Sequence, residues 1–237
     1  MTTIPRMPQG RARTATPIRV IVETGTTRVF ASAADWPGWA RGARDEEAAL
    51  ATLLAYAPRY GSVVSRTGLG FVAPVDATSL RVDQRVRGNA TTDFGAPGVP
   101  ARSDVAAIGD PELARLRTLL AAGWQAFDAG VEGARGKVLR PGPRGGGRTL
   151  TAMIKHVRDA EALYVSALGW PFKTSETGRA RLEATRAAVL EGLAASARGE
   201  IAPKGPRGGI RWKPRFFARR LVWHALDHLW EIEDRSA

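Results

Sequence analysis

"RRLVWHALDHLWEIEDR", Arg219–Arg235, is the stretch whose reading decides the fold. It carries two of the chain's three histidines, His224 and His228, four residues apart. On a helix, residues four apart are neighbours with Cβ atoms about 5–6 Å apart, so both imidazoles point the same way. Their line continues through Phe217 and Leu221 toward Ile232, the apolar side of the segment. The pair therefore faces the interior of whatever the helix packs against. The third histidine, His156, lies in "TLTAMIKHVRDAEALYVSALG" (149–169) and shares a face with Met153, Ala160 and Leu163, also read as inward.

Working outward, helical spacing fills the second half of the chain. "DPELARLRTLLAAGWQAFDAG" opens with Asp110 as N-cap, Pro111 at the first helical position and Glu112 in the first turn. Leu113, Leu116, Leu120, Trp124 and Phe127 form its apolar stripe. A second helix covers about 149–168 and is closed by Gly169 and Pro171. A third covers about 175–198, with Leu182, Val189 and Leu193 inward and Gly199 at its end. A fourth runs from near Pro214 to Arg235. Four helices within 106–237 predict an all-α up-and-down four-helix bundle.

Three imidazoles converging from two helices form a metal-binding pattern. Neutral imidazole suits Zn, Ni or Fe, and three protein ligands leave a coordination position open for water or substrate. The plainer alternative is three hydrogen-bonded core histidines. Asp159, Asp227 and Glu231 are the carboxylates close enough in sequence to support the ring N–H groups. Glu231 is the candidate general base on bound water. Glu233 and Asp234 read as a solvated acidic end.

"MIKHVRDAEALYVSALG" followed by "RRLVWHALDHLWEIEDR" resembles the DinB/YfiT-like superfamily of metal-binding four-helix bundles, with His156, His224 and His228 matching its three ligand positions in order and spacing. The resemblance covers about 110–237. It implies a divalent metal with an open water site, and for some relatives an S-transferase or isomerase activity that uses a low-molecular-weight thiol.

Two near copies, "GPRGGGRT" (142–149) and "GPRGGIRW" (205–212), each precede a histidine-bearing helix. In an up-and-down bundle both connections lie at one end. Arg144, Arg148, Arg207 and Arg211 would then flank the mouth of the site and receive an anionic substrate. Surface loops of biased composition are the alternative.

The first half reads differently. Residues 1–15 form a disordered basic arm. Residues 18–22 and 27–31 are short strands joined by "ETGT", with Gly25 free to take a positive φ. Trp36-Pro37-Gly38-Trp39 is a turn, Asp45 caps a helix that stops at Pro58, and "LRVDQRVRG" (80–88) alternates as a strand. Together with a loop or linker at 91–104, residues 16–105 predict an α+β unit, β-β-α-β, with its helix on an antiparallel sheet. The hairpin, "WPGW" and "DEEAALATLL" resemble the HicB-like fold over about 18–60; the resemblance implies a fold, not a role.

The totals bound the function. The 237 residues carry 35 basic and 23 acidic side chains, a net charge of +12, and no cysteine. Disulfides, thiolate metal sites and a cysteine nucleophile are excluded, so any thiol must come from outside the chain. No apolar run approaches a membrane span, and the N-terminus lacks a secretory pattern, which predicts a cytoplasmic protein. The basic, aromatic stretch 204–220 fits single-stranded nucleic acid only as a third reading. The first is a metal-dependent transferase, isomerase or hydrolase acting on a small, anionic molecule, with a homodimer allowed. The second is a non-catalytic binding or regulatory protein with structural histidines.

Overall fold

The computed structural model describes residues 17–142 and 147–236. The basic arm expected at 1–15 and Arg144 lie outside the described residues.

Strands β1 (Ile18–Thr24) and β2 (Val29–Ala33) pair antiparallel, as the hairpin pattern requires. Gly25 does not take a positive φ. Its hydrogen is needed for room, because a Cβ there would lie 2.4 Å from Asp93 Oδ1, the carboxylate that accepts from Thr27 N–H at 2.7 Å. A third strand, β3 (Ala40–Ala43), adds to β2, and β4 (Leu80–Arg87) pairs parallel with β1. The sheet is thus mixed, in the order β3-β2-β1-β4, where the sequence predicted three antiparallel strands. "ARGA" is too short and too featureless to show a period of two. The chain leaves β3, which runs the same way as β1, and returns to β4 through two helices, and that crossover sets the parallel pairing of β4 with β1.

Those helices are α1 (Glu46–Ala55) and α2 (Ala57–Val64). Asp45 caps α1 by accepting from Ala48 N–H at 2.8 Å. Pro58 falls in the first turn of α2, where its missing N–H costs nothing, so it opens a second helix as well as ending the first. Trp39 is fully buried between them, donating its indole N–H to the Leu53 carbonyl at 2.8 Å and stacking on Tyr60.

The stretch 91–104 is more structured than a linker. It holds a short helix, α3 (Ala90–Phe94), and a 3-10 turn at Arg102–Val105. Glu23, buried on β1, anchors it by accepting from the Thr92 hydroxyl and from the N–H groups of Gly98 and Val99 at 2.9 and 3.1 Å.

Four long helices follow: α4 (Asp110–Gly133), α5 (Leu150–Leu168), α6 (Gly178–Ala197) and α7 (Pro214–Ser236). The cap of α4 is Gly109, one residue before the expected Asp110. Gly123 and Gly130 of α4 abut Val222 and Leu229 of α7 in the same order, so α4 and α7 are parallel. Trp212, just before α7, donates to the Ala167 carbonyl at the end of α5, and His156 meets His224, so α5 opposes α7. Arg186 of α6 pairs with Asp128 of α4, while Asp110 acts on Arg198 at the far end of α6, so α6 opposes α4. The order is therefore up-down-down-up, not up-and-down. Residues 169–177 carry no helix or strand. About nine extended residues reach about 30 Å, enough to run back along a 19-residue helix of about 28 Å.

Helix α7 lies between the sheet and the other helices, and 16 of its 23 residues are buried. Trp223 packs edge-on against Phe30 of β2, and Gly38, at φ +96°, lets the WPGW turn close on Val222 and Leu226. One buried cluster runs from Val20 and Trp39 through Leu120 and Met153 to Ile232. Among the described residues no helix is long and apolar enough to cross a membrane.

Candidate metal centre

His156 sits in the second turn of α5, which starts where Thr149 accepts from Ala152 N–H. The opposed run of α5 and α7 brings it to the middle of α7. There His156, His224 and His228 each offer a ring nitrogen, and these nitrogens all lie within 4.8 Å of one another. His224 and His228 are buried, and His156 is partly open to solvent, so the cluster is reached from the side of α5. The three rings are mutually edge-on, with centroids 4.7–4.9 Å apart. Met153 and Ala160 are inward as expected; Leu163 is 68% exposed and is not on the buried face.

Nε2 of His156 and Nε2 of His224 are 3.1 Å apart. Two nitrogens bound at 2.0–2.1 Å to one tetrahedral ion are about 3.3 Å apart, so the observed spacing suits a shared cation. Burial pushes the His224 imidazole pKa down to about 2, with the neighbouring His228 and His156 adding to the effect. Burial, then His228, also lowers His156 below the ordinary histidine range. Both rings are thus neutral, the form that donates a lone pair to a metal.

The third ring is oriented by a carboxylate. His228 Nδ1 lies 3.0 Å from Glu231 Oε2. The hydrogen bond with His228, joined by Arg235, holds the Glu231 carboxyl below its usual range. An ionised carboxylate only accepts, so Nδ1 is the donor of this pair and Nε2 is the ring nitrogen left for a metal. Arg235 donates to Glu231 Oε1 at 2.8 Å and, through Nε, to the Arg140 carbonyl at 2.7 Å. The arrangement is a carboxylate–histidine relay fixed at both ends, and a donor set of three imidazoles fits a borderline-soft divalent ion.

The other expected residues fall elsewhere. Asp159 pairs with Lys155 at 2.5 Å on the surface, and Asp227 pairs with Arg41 of β3 at 2.8 Å; neither bonds a histidine. Glu233 and Asp234 are exposed, as expected of a solvated acidic end, and both also pair with Arg59 of α2. Arg148 is exposed at the end of the bundle nearest His156, and its charge adds to the lowering of His156 and His224. Arg207 is exposed and Arg211 packs on Gly169, donating to the Ala202 carbonyl at 3.3 Å. The up-down-down-up order places these two at the opposite end, so the GPRGG loops do not flank one mouth.

The sequence reading passed over Arg235, Tyr164 and Arg220. Arg235 is four residues beyond Glu231, and Arg220 four before His224, so the helical spacing that linked the histidines also reached both. Tyr164 lies two turns beyond His156, and its ring centroid is 5.7 Å from that of His224. Compared with protein-family models, with curated proteins and with solved structures, the chain matches none.

Proposed function

We propose that the protein is a divalent-metal-dependent enzyme whose ion is held by His156, His224 and His228. The observation that carries this reading is the set of three ring nitrogens within 4.8 Å of one another, two of the rings buried. The order of the three histidines, which resembles that of the DinB/YfiT-like bundles, supports it. So does the Glu231 support behind His228. A divalent ion bound there supplies a Lewis acid that lowers the pKa of a bound water or external thiol and polarises the substrate.

The chain's own residues divide the remaining work. Glu231 holds the proton at His228 Nδ1, and Arg235 keeps Glu231 ionised and fixed. With one oxygen engaged by each, Glu231 acts on this reading as a positioning residue more than as a free base. Met153, fully buried one turn before His156, lies on the inward face of α5. The partly open ring of His156 marks the entry side. Substrate chemistry is of the transferase, isomerase or hydrolase type, with Zn, Ni or Fe as the ion and a low-molecular-weight thiol as a candidate cosubstrate.

The 3.1 Å contact between His156 and His224 also supports a second reading, in which one imidazole N–H donates to the other and the bundle is a non-catalytic binding unit. Elemental analysis separates the two. Tag-free wild-type protein is expected to hold about one equivalent of Zn, Ni or Fe, and a His224→Ala/His228→Ala variant none. Absence of metal from both, before and after incubation with Zn²⁺ or Ni²⁺, would leave only the second reading.

A further inference from the structure

The end of α5 nearest the histidine cluster gathers positive charge. Lys137, Arg148 and Arg235 line a cavity of about 500 Å³ there, together with Thr149, Leu150 and Thr151 of the helix start. That is room for a small molecule. No acidic side chain among the described residues lines it. Of the three cations only Arg235 has a carboxylate partner among the described residues, Glu231 at 2.8 Å. The charges of Lys137 and Arg148 are left over.

The helix itself adds to this excess. The first turn of α5 holds no acidic residue, and its cap, Thr149, accepts from Ala152 N–H. The N–H groups of Leu150 and Thr151 find no acceptor among the described residues. A helix start carries the positive end of the dipole, which disfavours a cation beside it, yet Arg148 directly precedes the cap. Arg235 is only 7% exposed, and its Nη2 has no acceptor among the described residues. Gly147 brings no side chain over that guanidinium, where a Cβ would lie 2.7 Å from Nη2. Water could accept from these N–H groups but carries no charge. A phosphate group brings negative charge and accepts from several directions, which matches donors that converge from a loop, a helix start and α7.

We propose that Lys137, Arg148 and the start of α5 form a phosphate-binding site beside the histidine cluster. Arg235 joins the two, since it lines the cavity and also holds Glu231, which bonds His228. Arg148 is close enough for its charge to act on His156 and His224. The phosphate has two sources: the free ion, or one end of a substrate whose other end reaches the cluster. Thr149 and His156 are seven residues apart, about 10 Å along the helix, which sets the length of such a substrate. Only this second source rests on the proposed function; the site itself does not depend on the metal.

The test follows the Leu150 and Thr151 amide resonances of ¹⁵N-labelled, metal-free protein titrated with inorganic phosphate at fixed ionic strength. A saturable shift is expected, while chloride leaves both unmoved. In Lys137→Gln/Arg148→Gln the phosphate affinity should fall about tenfold or more, as expected for loss of charge-assisted hydrogen bonds. Both side chains are exposed, so their replacement spares the fold. With one equivalent of Zn²⁺ present, 6-mercaptohexyl phosphate binding more tightly than hexyl phosphate identifies a ligand bridging metal and cavity; equal affinity identifies the free ion. Resonances unmoved by phosphate, or moved equally by chloride, overturn the site using wild-type protein alone. So does a phosphate affinity unchanged in the double variant. Failure of Zn²⁺ to bind removes the bridging source and the metal reading, and leaves the phosphate result standing.

Discussion

Helices α5 and α7 both bring histidine to the cluster, yet they are built to opposite plans. Six of the 19 residues of α5 are buried, the single stripe of a helix that covers one side of a core. In α7, 16 of 23 are buried, because it has the sheet on one side and the bundle on the other. The N-terminal unit makes that difference. Gly38 closes on Val222 and Leu226, Phe30 on Trp223, and Arg41 and Arg59 lie over Tyr56 and Trp230 while pairing with Asp227, Glu233 and Asp234. A helix held on both sides presents its side chains in fixed positions, and two of the three ring nitrogens come from it. The α+β unit thus acts as a second wall for the site-bearing helix.

Breaking the wall gives the largest expected effect. Trp230→Ala removes a ring that is 2% exposed and should cost about 3–5 kcal/mol in urea unfolding, whereas Leu163→Ala on the outer face of α5 should stay within about 0.5 kcal/mol. Similar losses from both would show that α7 is no more central than α5.

Glu161 sharpens the contrast, since it is the one acidic side chain buried on α5. Trp124 donates to one of its oxygens at 2.8 Å, the other has no partner among the described residues, and burial raises its pKa to about 7. The unfolded chain releases this proton near pH 4.5, the folded chain near 7. Between those values the folded state binds more protons, so stability from this group is full below about 4.5 and is lost as pH rises to about 7. The loss is on the order of 3 kcal/mol. Urea midpoints from pH 4 to 8 should fall in the wild type and stay flatter in Glu161→Gln, with the variant more stable at pH 8. Parallel pH profiles would contradict the assignment.

A smaller loss, about 2 kcal/mol, is expected from Gly38→Ala. Its Cβ would stand 2.4 Å from Val222 Cγ1 on backbone at φ +96°, so both strain and contact act against it. A neutral outcome by thermal unfolding would mean that the WPGW turn does not hold α7. Least costly to the fold is Glu231→Gln, which should weaken metal binding by about 10–100-fold through the orientation of His228. Competition with a chelator reads that change, and unaltered affinity would remove Glu231 from the site.

Much of this was legible in the residues. The HxxxH spacing placed His224 and His228 on one inward face, and the cap at Asp45 and the Gly169 stop of α5 fixed those helix ends to within a residue or two. What was not legible has physical reasons. Strand β3 has four residues and no alternation, so nothing in "ARGA" announces it. The link 169–177 has a length that serves either bundle order, and only packing decides between them. Arg220 is one of seven basic residues spread over 204–220, a stretch read for its charge and aromatics, and only the fold shows that it is buried. Glu161 is one letter in a helix of mixed polarity, and only its place beside Trp124 shows that it is buried.

The most direct test of the account is whether a metal ion stabilises the fold through these three histidines and no others. Thermal unfolding should be followed with and without Zn²⁺ for the wild type and for His156→Ala, His224→Ala and His228→Ala. A ligand at 100 times its Kd stabilises the state it binds by about 2.7 kcal/mol, so the wild-type transition should rise by several degrees. Each variant should lose that rise, His156→Ala included, although it lies on the other helix. No rise in the wild type, or an equal rise in all four proteins, would contradict a metal centre shared between α5 and α7.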